Sequence, residues 1–161
     1  MSVMAVDLSS HCGWASGKPG STPRFGVWEL PSIADAGRQA GAFADVFADA
    51  ITVHKPRLVI LEVDINLHRH NPAGTAEQQI GMAYLAGLIC WRREVTMKRA
   101  TASDARSAVL GRARWPEKGD AKAAVLAWCR QQGWDVLNHN AADALVLWQF
   151  ACRLPAARLA A

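Results

Sequence analysis

Apolar and polar positions along this chain switch repeatedly between an alternating pattern and a helical one. "SVMAVDLS" alternates and is β-branched enough for a strand that ends near Asp7. "CGWASG" (12–17) and "RFGVWEL" (24–30) read as two further short strands. The turn-rich "GKPGSTP" between them predicts a hairpin, making the first three strands an antiparallel meander. Residues 33–54 place Ala, Phe, Val and Ile at helical spacing behind Pro31 and Ser32. "KPRLVILEV" is apolar on both faces, as a parallel strand covered by helices is. The polar segment 64–74 reads as a loop, 75–93 as a second helix built on the apolar run "IGMAYLAGLICW", and "VTMKRA" as a fifth strand. Thr101 or Ser103 caps a helix running to about Leu110, since Thr101-x-x-Asp104 has capping-box spacing. A basic, Gly/Pro-punctuated loop over 111–120 precedes a helix at 120–132, and a last helix runs from about Asn140 to Arg153. No repeat or linker interrupts the order βββαβαβααα. The expectation is one mixed α/β domain over residues 1–161, its sheet antiparallel at the start and parallel afterwards.

Composition adds limits. A chain of 161 residues, 51% hydrophobic and 20% charged, is large enough for one buried core and too apolar for a disordered segment. No apolar run reaches the roughly 18 residues of a bilayer span. The N-terminus lacks a basic flank followed by an apolar region, so neither membrane nor secretion is expected and the cytoplasm is. Cys12, Cys90, Cys129 and Cys152 are far apart with no CxxC pair, which argues against zinc fingers and redox motifs and for free thiols in a reducing compartment. Charge is unevenly placed: the formal net is +4, yet residues 92–130 are crowded with Lys and Arg against only Glu94, Asp104, Glu117 and Asp120. A basic face beside an acidic remainder is the footprint of a polyanion binder, or simply a solvated surface.

Against that background two acids stand out. Glu62 lies inside the apolar run "RLVILEVDI", and Asp7 ends "VMAVD". Ionised carboxylates are rarely buried without a partner. If the first and fourth strands are neighbours, both carboxylates stand at one edge of a crevice, where they repel unless a cation lies between them. "NHNAADALVLW" (138–148) supplies a third acid, Asp143, with Asn140 three residues before it on the same helical face. Asn140-x-x-Asp143 also reads as an N-cap with an acid in the first turn, Glu62 as one half of a salt bridge to a buried arginine, and Asp7 as a strand terminator. Taken together, oxygen-rich side chains in one crevice suit Mg²⁺ or Mn²⁺, and two such ions about 4 Å apart can drive hydrolysis of a phosphodiester.

The motifs also resemble a family. "AVDLSSHCGWA" is similar to the first-strand motif of RuvC-like Holliday junction resolvases. "KPRLVILE" resembles the segment carrying their second acid, and "GDAKAAVLAWCRQQGW" followed by "NAADALVLW" resembles their C-terminal part. The likeness runs over nearly the whole chain and is greatest to short phage- or prophage-type members. It implies an RNase H-like fold with a mixed five-stranded sheet. It also implies a homodimer gripping a four-way DNA junction, and two Mg²⁺ per active site, with Mn²⁺ as a substitute, making paired nicks. Asp7 would bridge both ions, Glu62 would ligate one and Asp143 the other, with Asn140 contributing its carbonyl oxygen. Lys122 would contact the scissile phosphate. Asn140 departs from the family's usual aspartate or histidine; an amide cannot act as a base and ligates more weakly. Where the family often carries an aromatic that stacks at the crossover, the third residue after Glu62 is Ile65, so Ile65 or the imidazoles of His68 and His70 would do the wedging.

Arg69 in the same loop, with Arg112, Arg114, Lys118 and Lys122 downstream, would hold the DNA backbone. His139 is expected to leave the start of the last helix in another direction than the acids. The helix near 75–93, apolar all round, is expected either to lie sandwiched or to form the two-fold interface, with Gly81 and Gly87 permitting close approach. Two alternatives stay open: an RNA-processing nuclease of the same fold, similar to the YqgF group, and a non-catalytic junction-binding dimer, which Asn140 motivates.

Overall fold

The structure, a computed structural model, describes residues 1–32, 34–63, 73–117 and 119–154. Three strands come first: β1 (Val3–Asp7), β2 (His11–Gly17) and β3 (Arg24–Glu29). The β2–β3 turn closes where Ser21 N–H donates to the Lys18 carbonyl at 3.0 Å and Gly20 takes a φ of 82°. There follow α1 (Ala36–His54), β4 (Leu58–Glu62), α2 (Ala73–Arg92), β5 (Thr96–Ala100), α3 (Ala102–Leu110), α4 (Asp120–Gln131) and α5 (His139–Cys152). The order is the expected one, and so are the strand directions: the sheet runs β3-β2-β1-β4-β5, antiparallel on the β2 side of β1 and parallel on the β4 side.

Local chemistry sets the helix boundaries. α1 begins later than the apolar period alone indicates because Asp35 caps it, its side chain accepting from Arg38 N–H at 2.9 Å. Thr101 is the cap of α3, accepting from Asp104 N–H at 3.0 Å. The last helix differs from expectation in a way that matters for the site. Its cap is Asn138, whose Oδ1 accepts from Asn140 N–H at 2.8 Å and from Ala141 N–H at 3.4 Å. Asn140 is thus inside α5, and the capping explanation for it falls.

Parity along the strands sorts the core into two layers. Val3 and Ala5 on β1, with Leu58 and Ile60 on β4, pack under α3, α4 and α5. Met4 and Val6, with Val59 and Leu61, pack under α1 and α2 against Phe43, Phe47 and Met82. α5 is apolar on nearly every side, with Ala141, Ala142, Leu145, Leu147 and Trp148 buried, because it is wedged between the sheet and the α3–α4 pair. β2 accommodates it with small residues on that face. Trp148 Nε1 donates to the Gly17 carbonyl at 3.4 Å, and a side chain on Gly13 would overlap the Asn140 carbonyl and come within 3.0 Å of the Ala141 nitrogen.

The four cysteines are free, three of them buried, and burial pushes the thiols of Cys12, Cys90 and Cys129 up to about 12. They behave as small apolar side chains, as expected.

Gly13 generates a direct prediction. Because its missing Cβ is what lets the backbone of α5 lie on β2, Gly13→Ala should destabilise the fold by about 2 kcal/mol or more, the scale of overpacking a close contact, read from chemical denaturation. A neutral substitution would mean that α5 can retreat without loss.

Candidate active site

The period-two pattern continues through the strand ends. Val3 and Ala5 face α5, so Asp7 does too; Leu58 and Ile60 face α5, so Glu62 does too. In the parallel β1–β4 ladder Asp7 is the register partner of Glu62, and adjacent strands are about 4.8 Å apart. On the far side of β4, Val63 N–H donates to the Ala100 carbonyl of β5 at 2.9 Å, which fixes the end of β4 beside Glu62. On its other side Asp7 is the register partner of Gly13. The residue that admits α5 is therefore directly across from the first acid, and α5 brings Asp143 there one turn after its cap.

Two glutamines of α2 secure the turn after Asp7. Gln79 Nε2 donates to the Leu8 carbonyl at 3.0 Å and Gln78 Nε2 to Ser10 Oγ at 3.1 Å. Nothing in the sequence distinguishes these two from ordinary polar positions at a helix start.

Electrostatics report the convergence. Burial, and then the neighbouring Asp143 carboxylate, push the Asp7 carboxyl up to about 7, while Arg106 and Lys122 pull the other way. Asp143 is also held above the ordinary carboxylate range, by burial, against the opposing charges of Arg106, Lys122 and His139. Among the described residues, the salt bridge to this site is Arg106 Nη2 to Asp143 Oδ1 at 3.4 Å, between side chains 22% and 14% exposed. Sequence reasoning missed Arg106, although a signal existed. Ala102, Ala105, Arg106, Val109 and Leu110 form the packed stripe of α3, so an arginine stands on the apolar face of that helix.

The structure brings Asp7, Glu62 and Asp143 to one edge of the sheet, puts Asn140 one turn before Asp143, and sets the exposed Lys122 within electrostatic reach of Asp7 and Asp143. His139, expected to point elsewhere, opens α5 four residues before Asp143 and its charge reaches that carboxylate. Arg112 and Arg114 are exposed on the α3–α4 connection, Arg112 lining a surface groove of about 400 Å³ with Trp115 and Trp128. Ile65, His68, Arg69, His70 and Lys118 lie outside the described residues. Among the described residues no three His, Cys, Asp or Glu side chains are drawn together tightly enough, as they stand, to enclose an ion.

No protein-family model matches the chain, and no curated protein matches it significantly. Solved structures do. Thermus thermophilus RuvC superposes with a TM-score of 0.75 at 17% identity, covering 99% of this chain and 97% of that one. The T. thermophilus RuvC complex with a Holliday junction substrate gives 0.70 at 14% identity, over 93% and 92% of the two chains. The yeast mitochondrial Holliday junction resolvase Ydc2 gives 0.55 at 11% identity, over 94% and 77%. The chain has the RuvC-like fold, as the motif resemblance implied.

The raised carboxyl of Asp7 sets a pH dependence. The folded state keeps a proton on Asp7 up to about pH 7, whereas an unfolded chain releases it near pH 4. Stability without divalent ions should therefore fall as pH rises through that window and level off above it. Asp7→Asn should remove this slope and be more stable than the wild type at pH 8, by about 1–4 kcal/mol. Thermal melts in chelator from pH 4 to 8 check both; a wild-type stability that rises with pH would contradict the burial of Asp7.

Proposed function

We propose that the chain is a divalent-metal-dependent endonuclease that resolves four-way DNA junctions by paired nicks. The observation that carries this reading is the meeting of Asp7, Glu62 and Asp143 at one sheet edge of a RuvC-like fold, with Asp7 short of compensating positive charge. The similar solved structures are of RuvC, one with a Holliday junction substrate, and of a mitochondrial resolvase.

The donor set fits a hard cation. It consists of carboxylate oxygens with an amide oxygen one helical turn away, and the burial and Asp143 repulsion that lift the Asp7 carboxyl are what a divalent ion would offset. Asp7, Glu62, Asp143 and Asn140 would hold the Mg²⁺ or Mn²⁺ ions. When bound, the ions supply Lewis acidity at a phosphodiester and a nucleophilic water. Lys122, on the first turn of α4 and within electrostatic reach of the acids, neutralises charge at the scissile phosphate. Arg112, Arg114 and Lys118 hold the DNA backbone, and Ile65, His68, Arg69 and His70 contact the junction. Free thiols are at home in a reducing cytoplasm.

Two nicks in a two-fold substrate call for two active sites, and α2 offers the surface for pairing. Ile80, Tyr84, Leu88 and Trp91 form one stripe, Tyr84 71% and Trp91 77% exposed, while Met82, Ala83, Ala86 and Cys90 on the opposite face are buried. Gly87, expected to thin the interface, instead packs its Cα side against Met97 Cε of β5, and Gly81 lines a groove of about 280 Å³ against α1. The exposed stripe makes the interface, with the exposed Gly81 open beside it.

Incubation of a synthetic four-way junction with Mg²⁺ or Mn²⁺ should give symmetrically related nicks, with Asp7→Asn and Asp143→Asn each slower by at least about 10³-fold, as loss of a metal-centred mechanism implies. Asn140→Asp should raise the Mg²⁺-supported rate. Binding without nicking under either ion would favour the non-catalytic dimer, and faster cleavage of structured RNA the RNA-processing alternative. In sedimentation velocity the wild type should run as a dimer and Tyr84→Asp/Trp91→Asp as a folded monomer; an unshifted profile would move the interface elsewhere.

A further inference from the structure

We propose that Arg106 is a built-in competitor for cations at the acidic site, its guanidinium holding Asp143 until a divalent ion displaces it. The inference rests on the metal reading above and concerns how tightly the same site binds. Arg106 arrives on the packed face of α3, a helix fixed at its start by the Thr101 cap, so its guanidinium is delivered to α5 by the fold and not by a flexible loop. It acts on both Asp7 and Asp143. Its grip is weak, however. The Nη2–Oδ1 separation of 3.4 Å is well beyond the 2.7–2.9 Å or so of a strong charge-assisted bond, and it is a single contact where arginine favours a bidentate one. Arg106 Nε is buried with no hydrogen-bond partner. A buried donor left unpaired has a cost, so this arrangement is one the side chain can leave.

Arg106 contacts Oδ1 of Asp143, and its fixed charge competes electrostatically with a metal ion for that carboxylate. A fixed positive charge beside two ligands also opposes the approach of any cation. The pair therefore lowers the intrinsic affinity of the acids for Mg²⁺ and Mn²⁺, and limits the Asp7–Asp143 repulsion whenever ions are scarce. Lys122 and His139 add positive charge on the same side, but both are exposed and screened, whereas Arg106 is held inside.

The test is a calorimetric titration of the full chain with Mn²⁺ at fixed pH and salt, alongside thermal melts with and without the ion. Arg106→Gln should bind Mn²⁺ about tenfold more tightly than wild type, about 1.4 kcal/mol. It should be less stable than wild type in chelator and gain more in melting temperature on adding the ion. Arg106→Lys, which keeps the charge, should stay within about twofold of wild type. A purely structural arginine would weaken binding in both variants, and that result, or unchanged binding in Arg106→Gln, overturns the proposal while leaving the metal site intact. Should Arg106→Gln fail to fold, Arg106→Met takes its place with the same expectation. Absence of Mn²⁺ binding in wild type and variants alike would overturn the metal reading and the competition with it.

Discussion

The burial of Asp7 and Asp143 beside each other is the constraint on which the site depends. Nothing about stability asks for two half-buried carboxylates side by side, and burial makes each harder to ionise. Two backbone constraints force them together. The in-phase register of β1 and β4 sends Asp7 and Glu62 to the same face at the same height. The absence of a side chain at Gly13, next to Asp7 on the other neighbouring strand, lets the first turn of α5 descend onto the sheet with Asp143 behind it. The cost is carried by the two apolar layers, one under α1 and α2 and the other under α3, α4 and α5, which bury both faces of β1 and β4.

The positive charges around these acids come from different elements and none completes the neutralisation. Arg106 comes from α3, Lys122 from α4 and His139 from the head of α5. Arg106 makes one long contact, and the other two are exposed. A chain with a formal net charge of +4 thus leaves its most buried acids under-compensated, and the deficit is local. The site is thus a residual negative focus within a chain of net positive charge.

Most of the fold was legible because its elements carry clean periods. The strands alternate or run apolar, the helices repeat at three to four residues, and the Thr101 capping side chain marks α3. The acids were legible for a related reason: a carboxylate inside or at the end of an apolar strand is rare enough to stand out. Less readable were features set by a neighbouring element. Two asparagines, Asn138 and Asn140, carry the same cap propensity, and only the path of the chain into α5 makes Asn138 the cap. Gly87 reads as a close-approach position, but which helix face meets β5 is decided by packing. His139 reads as splayed from the acids until the helix is seen to begin there, which puts His139 and Asp143 on one side. Arg106 was readable in principle, as a charge on the stripe of α3 that carries Ala105 and Val109, yet its partner belongs to another helix and no local pattern names it.

α2 joins what would otherwise be separate parts. One face packs Met82, Ala83, Ala86 and Cys90 into the sheet, the opposite face carries the exposed aromatic stripe, and Gln78 and Gln79 grip the turn that follows Asp7. Gln79 spends its amide nitrogen on the Leu8 carbonyl while its Oε1 is buried without a partner, so the helix start is held by a contact that leaves a polar atom unsatisfied. Helices transmit displacement as rigid bodies over such distances, because their backbone bonds are satisfied internally. Whatever seats on Tyr84 and Trp91 therefore bears on the same rigid element that positions the Leu8–Ser10 turn, and through it the end of β1 where Asp7 stands.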